Sequence, residues 1–260
     1  MTVNAEPAST PPEIATLTLA DLSHALREGC RDFVHAPAFG LFFSGFYVAF
    51  GIALTFAGAG TLVWTVVLSA AFPLFAPFAA VGLYEVSRRL ERKQALVWPE
   101  VLSVVWAERN RQLPWMGALL LIIVLFWSFF AHMAFALFIG AMPLTNITTS
   151  AESLMNPTGY AMIAFQIAAG AATALLTFAL TVVSLPYLLD REVDFMTAMI
   201  TSLRTFGRNR PVLLAWAALI GVSVIAALAP LFLGLFFVLP VFGHATWHLY
   251  RRTLLFPDRR

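Results

Sequence analysis

The longest stretch without charge is the feature that most constrains this chain. From Pro211 to Tyr250 there is no Asp, Glu, Lys or Arg. As one straight helix this run would extend roughly 60 Å at about 1.5 Å per residue, whereas the apolar core of a bilayer is only about 30 Å thick. The run therefore predicts a hairpin of two membrane-spanning helices that turns at Ala229-Pro230.

The composition agrees with a membrane protein. Hydrophobic residues make up 60% of the 260 residues, and Phe alone occurs 24 times, which lies outside the range of soluble globular domains. The one cysteine, Cys30, excludes an intrachain disulfide and any Cys-x-x-Cys metal or redox pair. The class predicted is an integral membrane protein without thiol chemistry.

Two earlier parts of the chain repeat the pattern of the last run. Residues 38–83 are free of formal charge and predict two spans joined near 57–60, and residues 114–140 and 159–189 predict a third and a fourth span. Arg92, Ser103 and Arg109-Asn110-Arg111 recur at the same spacing as Arg191, Ser202 and Arg208-Asn209-Arg210. These identities indicate a threefold internal repeat.

A short segment with helical apolar spacing precedes each predicted pair of spans. The first follows a capping-box pattern at Thr18 and Asp21, the second follows Pro99, and the third follows Asp194. The apolar stripe of the first consists of Leu19, Leu22, Leu26, Cys30 and Phe33, and that of the third consists of Phe195, Met196, Met199, Ile200, Leu203 and Phe206. Such segments are typical of amphipathic helices that lie in the membrane interface.

The predicted fold class is therefore all-α, a polytopic membrane protein with about six transmembrane helices in three hairpins, each preceded by an interfacial amphipathic helix. The predicted domains are a disordered tail at 1–17, one membrane domain at 18–252 with units at about 18–90, 95–190 and 194–252, and a cytoplasmic tail at 253–260. With six spans, all 16 Lys and Arg fall on one side and Glu152 on the other. The positive-inside rule then predicts a bacterial inner-membrane protein with both termini cytoplasmic and an external loop at 141–158.

Two stretches resemble an uncharacterised family of bacterial integral membrane proteins of unknown function. They are Ser184–Asp194, followed by Thr197-Ala-Met, and the closing stretch Leu239–Arg252, and the resemblance extends over most of the chain after residue 18. Members are sometimes labelled as cytochrome c oxidase subunit I, but that subunit has more spans and a set of intramembrane histidine ligands that this chain lacks. The resemblance implies membrane class and bacterial origin, and it supplies no catalytic residues.

Three histidines are the weak candidates for binding a cofactor. His244 and His248 share a helix face, a spacing that suits a metal or the edge of a haem. No Glu follows His244 as zinc hydrolases require, and the neighbouring Trp247 and Tyr250 favour an interfacial aromatic belt instead.

His132 falls inside a predicted span, where an ionisable side chain suggests function by default. A hydrogen bond to a neighbouring helix is the favoured interpretation. Shared haem ligation with His244 fails because the two residues lie at different predicted depths.

The sequence carries no nucleotide-binding or catalytic motif, so no catalytic residue, metal or cofactor is expected. The basic segments are interrupted by acidic residues and lead straight into spans, which favours anionic lipid headgroups over nucleic acid as their partner. The predicted lipid-interface residues are Arg88, Arg89, Arg109, Arg111, Arg204, Arg208, Arg210, Arg251 and Arg252.

Three functions remain open at this point. The first is a non-enzymatic scaffold or assembly partner of a membrane complex, which would contact other membrane proteins. The second is a transporter or channel for a small or amphiphilic solute, suggested by the internal repeat. The third is a membrane-embedded enzyme or a haem or metal site, which rests on the histidines alone.

Overall fold

The computed structural model of this chain describes residues 12–56, 62–139 and 155–257. The predicted turn at 57–60, residues 141–154 of the predicted external loop with Glu152, and the terminal residues 1–11 and 258–260 lie outside the described residues. The described part is all-α apart from one pair of two-residue strands, which confirms the predicted class. Its helices are α1 (Leu19–His35), α2 (Pro37–Phe56), α3 (Leu62–Glu91), α4 (Trp98–Ala107), α5 (Leu113–Ile139), α6 (Pro157–Thr181), α7 (Ser184–Asp190), α8 (Phe195–Arg208), α9 (Arg210–Leu228) and α10 (Leu235–Thr253).

Local sequence signals account for most helix boundaries. Proline stands in the first turn of α2, α4, α5, α6 and α9, where its missing N–H costs no hydrogen bond. The capping box of α1 is formed as predicted, with Thr18 accepting from the Asp21 backbone N–H. The predicted turn at Ala229-Pro230 follows the end of α9 at Leu228.

Within the described residues, three helical stretches are long and apolar enough to cross a membrane. They are Leu113–Phe138, Pro157–Asp190 and Arg210–Leu228, and at most 22% of the span-length window of each is buried within the protein. A fourth is counted if α1 and α2, which meet at an angle of 100°, form one broken span. The described part is thus α-helical, with three or four candidate spans, and the three single helical stretches expose most of their surface.

A short helix followed by two longer helices occurs three times along the chain, as α1 to α3, α4 to α6 and α8 to α10. The repeated residues nevertheless make different contacts. Ser103 is exposed and donates to a carbonyl of its own helix, whereas Ser202 is buried and joins α8 to the end of α6 by donating to the Ala179 carbonyl.

The core lies where the charged segments meet. Its largest cluster joins the ends of α3 and α10 to α7, with Val81, Tyr84, Leu188 and Leu249 among the buried members. α3 also packs along α5, and α10 packs against α1, α2 and α3.

α1 crosses α10 in close contact at Gly29. A Cβ built on Gly29 would lie 2.6 Å from both the Val241 O and the Ala245 N. The α1 residues buried by this contact are Leu22, Ala25, Gly29 and Asp32, while Leu19, Cys30 and Val34 are exposed. The buried face of α1 is therefore rotated from the predicted stripe toward smaller residues. Where two helix backbones come into contact, there is room for glycine and alanine but not for large side chains.

Parts of both predicted tails, 1–17 and 253–260, belong to the fold. Residues 12–17 are ordered: Glu13–Ile14 pairs antiparallel with Leu254–Leu255, and Leu17 is buried. Residues 253–257 continue the same contact, with Thr253 and Phe256 buried. The strand pair supplies hydrogen bonds that a proline- and threonine-rich segment does not reveal by its composition.

Candidate functional site

Charged side chains from all three units meet at one end of the bundle. We call this set the polar layer. It consists of Asp21, Asp32, Glu85, Arg88, Arg89, Glu91, Arg92, Glu108, Arg111, Asp190, Glu192, His248, Tyr250, Arg251 and Arg252.

Glu85 is a buried carboxylate of the polar layer. It is 1% exposed; its Oε1 accepts from Arg89 at 2.7 Å, and its Oε2 forms an ion pair with Arg88 at 2.5 Å. Arg89 also pairs with Glu100 of α4, and Arg88 donates to the Leu189 carbonyl at 3.1 Å. Glu85 therefore holds two arginines that connect α3 to α4 and α7.

Further ion pairs join the first and last units. Arg251 donates to Glu91 at 2.7 Å, and the Trp247 indole donates to the same carboxylate at 3.0 Å. Arg252 donates to Asp21 at 2.7 Å. A hydrogen bond from Thr18 lowers the pKa of Asp21, and Arg252 lowers it further, so this carboxylate remains ionised and paired under mildly acidic conditions.

The middle unit joins the polar layer at two places. Tyr250 donates to Asp190 at 2.6 Å, and Arg111 pairs with Glu108 at 2.5 Å and with Glu192 at 2.6 Å. Burial raises the pKa of Glu108 despite the nearby guanidinium of Arg111. The Tyr250–Asp190 hydrogen bond joins the last unit to the middle one at this end, and Arg111 fixes the connection after the middle unit.

The two neighbouring histidines of α10 lie inside the protein. His244 is fully buried, with Nδ1 2.8 Å from Ser87 Oγ, and His248 Nε2 lies 2.7 Å from Asp32 Oδ2 of α1. Trp247 and Tyr250 are each 1% exposed. The predicted interfacial aromatic belt is therefore wrong for these residues, because α1, α3 and α7 cover the face of α10 on which they lie.

The described residues contain no group of three or more His, Cys, Asp or Glu that could hold a metal ion. His244 Nε2 is buried without a hydrogen-bond partner among them.

His132 does not make the interhelical contact expected of it. Its Nδ1 lies 2.6 Å from the Ser128 carbonyl of its own helix. Gln166 of α6 makes the polar connection at this level instead, donating to the Ala131 carbonyl of α5 at 2.7 Å. His132 therefore contacts a carbonyl of its own helix, and it lies on a different helix from His244 and His248.

The nine predicted interface arginines divide into two groups. Arg88, Arg89, Arg111, Arg251 and Arg252 are paired with carboxylates of the polar layer. Arg109, Arg204, Arg208 and Arg210 are exposed, and Arg109 stacks 3.7 Å above the Trp106 ring. The second group is exposed and lies outside the polar layer.

The short helices α1, α4 and α8 each divide their surface in three. One face packs on the bundle, one carries polar or charged residues, and a third exposes large apolar side chains at helical spacing. The exposed apolar residues are Leu19 and Val34 on α1, Trp98, Leu102 and Trp106 on α4, and Met196, Ile200 and Leu203 on α8.

Sequence reasoning missed several residues of the polar layer. Neither Glu85 nor Asp32 stood out in the sequence, and Asn209, which lies beside that layer in the chain's basic segment, was noted only within the repeated Arg-Asn-Arg motif. Asn209 is 2% exposed and holds the N-terminal segment, accepting from the Leu17 N–H at 2.7 Å and donating to the Ala15 carbonyl at 3.0 Å. The one available signal was the position of Glu85, next to a charge-free run and four residues before Arg89.

Comparison with known proteins gives one match. Residues 65–190 fit the family model described as "Predicted integral membrane protein (DUF2189)", whereas neither a curated protein nor a solved structure matches the chain. The matched range runs from α3 to α7 and includes Ser184–Asp190, but not the closing stretch Leu239–Arg252. The resemblance to an uncharacterised integral membrane family is confirmed over this range, while the bacterial origin and the oxidase label remain expectations. Over residues 65–190, this chain is similar to the DUF2189 family of predicted integral membrane proteins.

Proposed function

We propose that this protein is a six-span inner-membrane scaffold, an assembly partner of a membrane complex without catalytic activity of its own. One observation carries the proposal: the polar layer joins all three units at one end through ion pairs and hydrogen bonds. Such cross-unit pairs favour a rigid platform, and a rigid surface loses little conformational entropy when a partner binds.

In this proposal the six spans are α2, α3, α5, α6, α9 and α10, arranged as three hairpins. The polar layer lies at the cytoplasmic surface with both termini, since the six-span arrangement puts all 16 Lys and Arg on that side. The exposed apolar faces of α1, α4 and α8 enter the membrane interface, and the exposed arginines contact anionic headgroups.

Replacing Arg204, Arg208 and Arg210 together by Glu should lower the amount of correctly inserted protein several-fold. Each basic residue near an anionic surface contributes about 1 kcal/mol, and reversal turns this attraction into repulsion. The measurement is the accumulation of full-length protein in the membrane fraction. The matched control is the triple replacement by Gln, which removes the charge without reversing it and should have a smaller effect. Wild-type accumulation of the Glu variant would contradict the lipid contact and favour a partner on this face.

The scaffold role predicts a partner in fixed stoichiometry. Cross-linking in intact membranes, followed by purification in a mild detergent, should recover one membrane protein at a constant ratio to this chain. If the exposed apolar face of α4 binds the partner, replacing its exposed Trp106 by Ala should reduce that ratio. Ile122→Ala on an exposed face of α5 is the control and should leave the ratio unchanged. A chain that purifies alone and catalyses solute flux in vesicles would contradict the scaffold and favour a transporter.

The second candidate function is a transporter for an amphiphilic solute. It is favoured by a partly open cavity inside the bundle.

A further inference from the structure

A cavity of about 300 Å³ lies between the helices below the polar layer. α3 forms one wall with Ala76, Pro77, Ala80 and Leu83, and side chains from α2, α5, α6, α7 and α10 complete the lining. The volume lies at the lower end of the range for ligand pockets, about 300–1,000 Å³. It is too narrow for a helix, whose diameter is about 10–12 Å.

The hydroxyl groups that line the cavity donate hydrogen bonds to backbone carbonyls of the helices. Ser44 donates to the Gly40 carbonyl at 2.7 Å, Tyr47 to the Ala76 carbonyl at 3.3 Å, and Thr181 to the Thr177 carbonyl at 2.8 Å. Thr177 donates in the same way to Thr173. The lining therefore presents mainly hydrocarbon to an occupant. A polar solute would lose its hydrogen bonds to water without gaining equivalent ones in the cavity.

The position of the cavity relates it to both the bilayer and the polar layer. The cavity is partly open, and Val124 in its lining lies on the face of α5 opposite the exposed Ile122 and Phe126. At the other end, Leu83 lies two residues before Glu85 on α3, and Leu185 lies five residues before Asp190 on α7. The cavity therefore lies between an α5 helix that exposes apolar side chains on its outer face and the charged groups of the polar layer.

One arginine of the polar layer suits an anionic headgroup. Arg92 is 49% exposed, and its guanidinium lies 3.7 Å from Asp190, within ion-pair distance but too long for a hydrogen bond. Along α3, Arg92 is nine residues beyond Leu83, or about 13 Å at the helical rise. One leaflet is about 15 Å thick, half of a core of about 30 Å, so a chain that begins at Arg92 reaches the cavity.

We propose that this cavity binds one acyl chain of a membrane amphiphile whose anionic headgroup lies at Arg92. The occupant enters from the bilayer, and the bound chain completes the packing between α3, α6 and α10. This site is independent of the scaffold role: a structural lipid would fill it in a scaffold, and a transported amphiphile would fill it in a transporter.

Native mass spectrometry of the purified full-length chain in mild detergent tests the site. Phosphatidylglycerol added to the delipidated protein should give one retained adduct per chain. Palmitate is added in a second arm, and the adduct mass distinguishes a two-chain lipid from a single-chain acid. An adduct of either kind supports an acyl-chain site, whereas retention of neither probe overturns it.

Variants that fill the cavity supply the decisive comparison. Ala80→Leu, alone and with Ala76→Leu, should reduce adduct retention at least tenfold. The matched controls are Ala215→Leu and Ala218→Leu, which add the same atoms to exposed positions of α9 and should leave retention unchanged. Equal retention by filled and control variants would place the lipid on the outer surface and overturn the proposal.

Thermal stability gives a readout that does not require the filled variants to retain wild-type behaviour. Added phosphatidylglycerol should raise the Tm of the wild-type chain, because a ligand that binds only the folded state stabilises it. The rise in Tm should be smaller in the Ala80→Leu variant and in the Arg92→Gln variant than in wild type. A wild-type Tm that does not respond to phosphatidylglycerol or to palmitate would contradict the site even if every variant failed to fold.

Discussion

Gly29→Ala should separate α1 from α10 and lower the stability of the whole chain. The added Cβ would lie 2.6 Å from two backbone atoms, Val241 O and Ala245 N, and 2.7 Å from Ala245 Cβ. Backbone atoms of a helix cannot rotate away as the end of a long side chain can, so α1 itself must move. Overpacking of this kind costs about 1–3 kcal/mol and occasionally more, and we expect the upper end of that range.

The measurement is the apparent Tm in a mild detergent, together with hydrogen exchange across residues 19–35. We expect a lower Tm and faster exchange of α1. Gly207→Ala on α8 is the matched control, since a Cβ there meets nothing within 4 Å and alanine is favoured over glycine in a helix by about 0.5–1 kcal/mol. If both variants behaved alike, the close crossing of α1 and α10 would be wrong.

Glu85→Ala should produce the largest loss of stability among single charge substitutions in the described part of the chain. Glu85 is 1% exposed, accepts from Arg89 and forms an ion pair with Arg88, so its removal takes the shared carboxylate away from two partly buried guanidinium groups. Breaking a buried ion pair by removing one partner costs about 3–5 kcal/mol. The expected result is a markedly lower Tm and weaker attachment of α4, because Arg89 also holds Glu100.

The control for this substitution is Glu28→Ala. Its pair with Arg31 measures 3.5 Å, and the Arg31 side chain is 66% exposed. Exposed pairs of this kind contribute about 0–1 kcal/mol, so the Tm should hardly change. A Glu85 variant as stable as the Glu28 variant would show that the polar layer does not hold the units together.

The contrast between these two glutamates shows why burial changes the contribution of an ion pair to stability. Both carboxylates lie on helices and both pair with an arginine a few residues away. Solvent screens the Glu28 pair, whereas the core screens the Glu85 pair little and imposes a desolvation cost that only the complete network offsets. Spacing along a helix is the same in the two cases, so it does not distinguish them.

The sequence by itself determined the class of this protein and most of its helices. Two of the signals are charge-free runs longer than a bilayer is thick and prolines in the first turns of helices. They depend only on segment length and local backbone chemistry, so they can be recognised without a tertiary structure. The capping box at Thr18 and the turn at Ala229-Pro230 are local in the same sense. The amphipathic pattern of α1 and α8 was also visible, although the face of α1 that packs on the bundle was not.

Only the tertiary structure decided which polar residues meet. His248 contacts Asp32, Arg251 contacts Glu91, and Asn209 binds the segment before α1, each across a large separation in sequence. His132, in contrast, bonds within its own helix although its position suggested a partner elsewhere. Helical periodicity fixes which residues share a face, but the neighbour of that face depends on how distant helices cross, and the crossing at Gly29 is set by backbone contact that no pattern in one helix encodes.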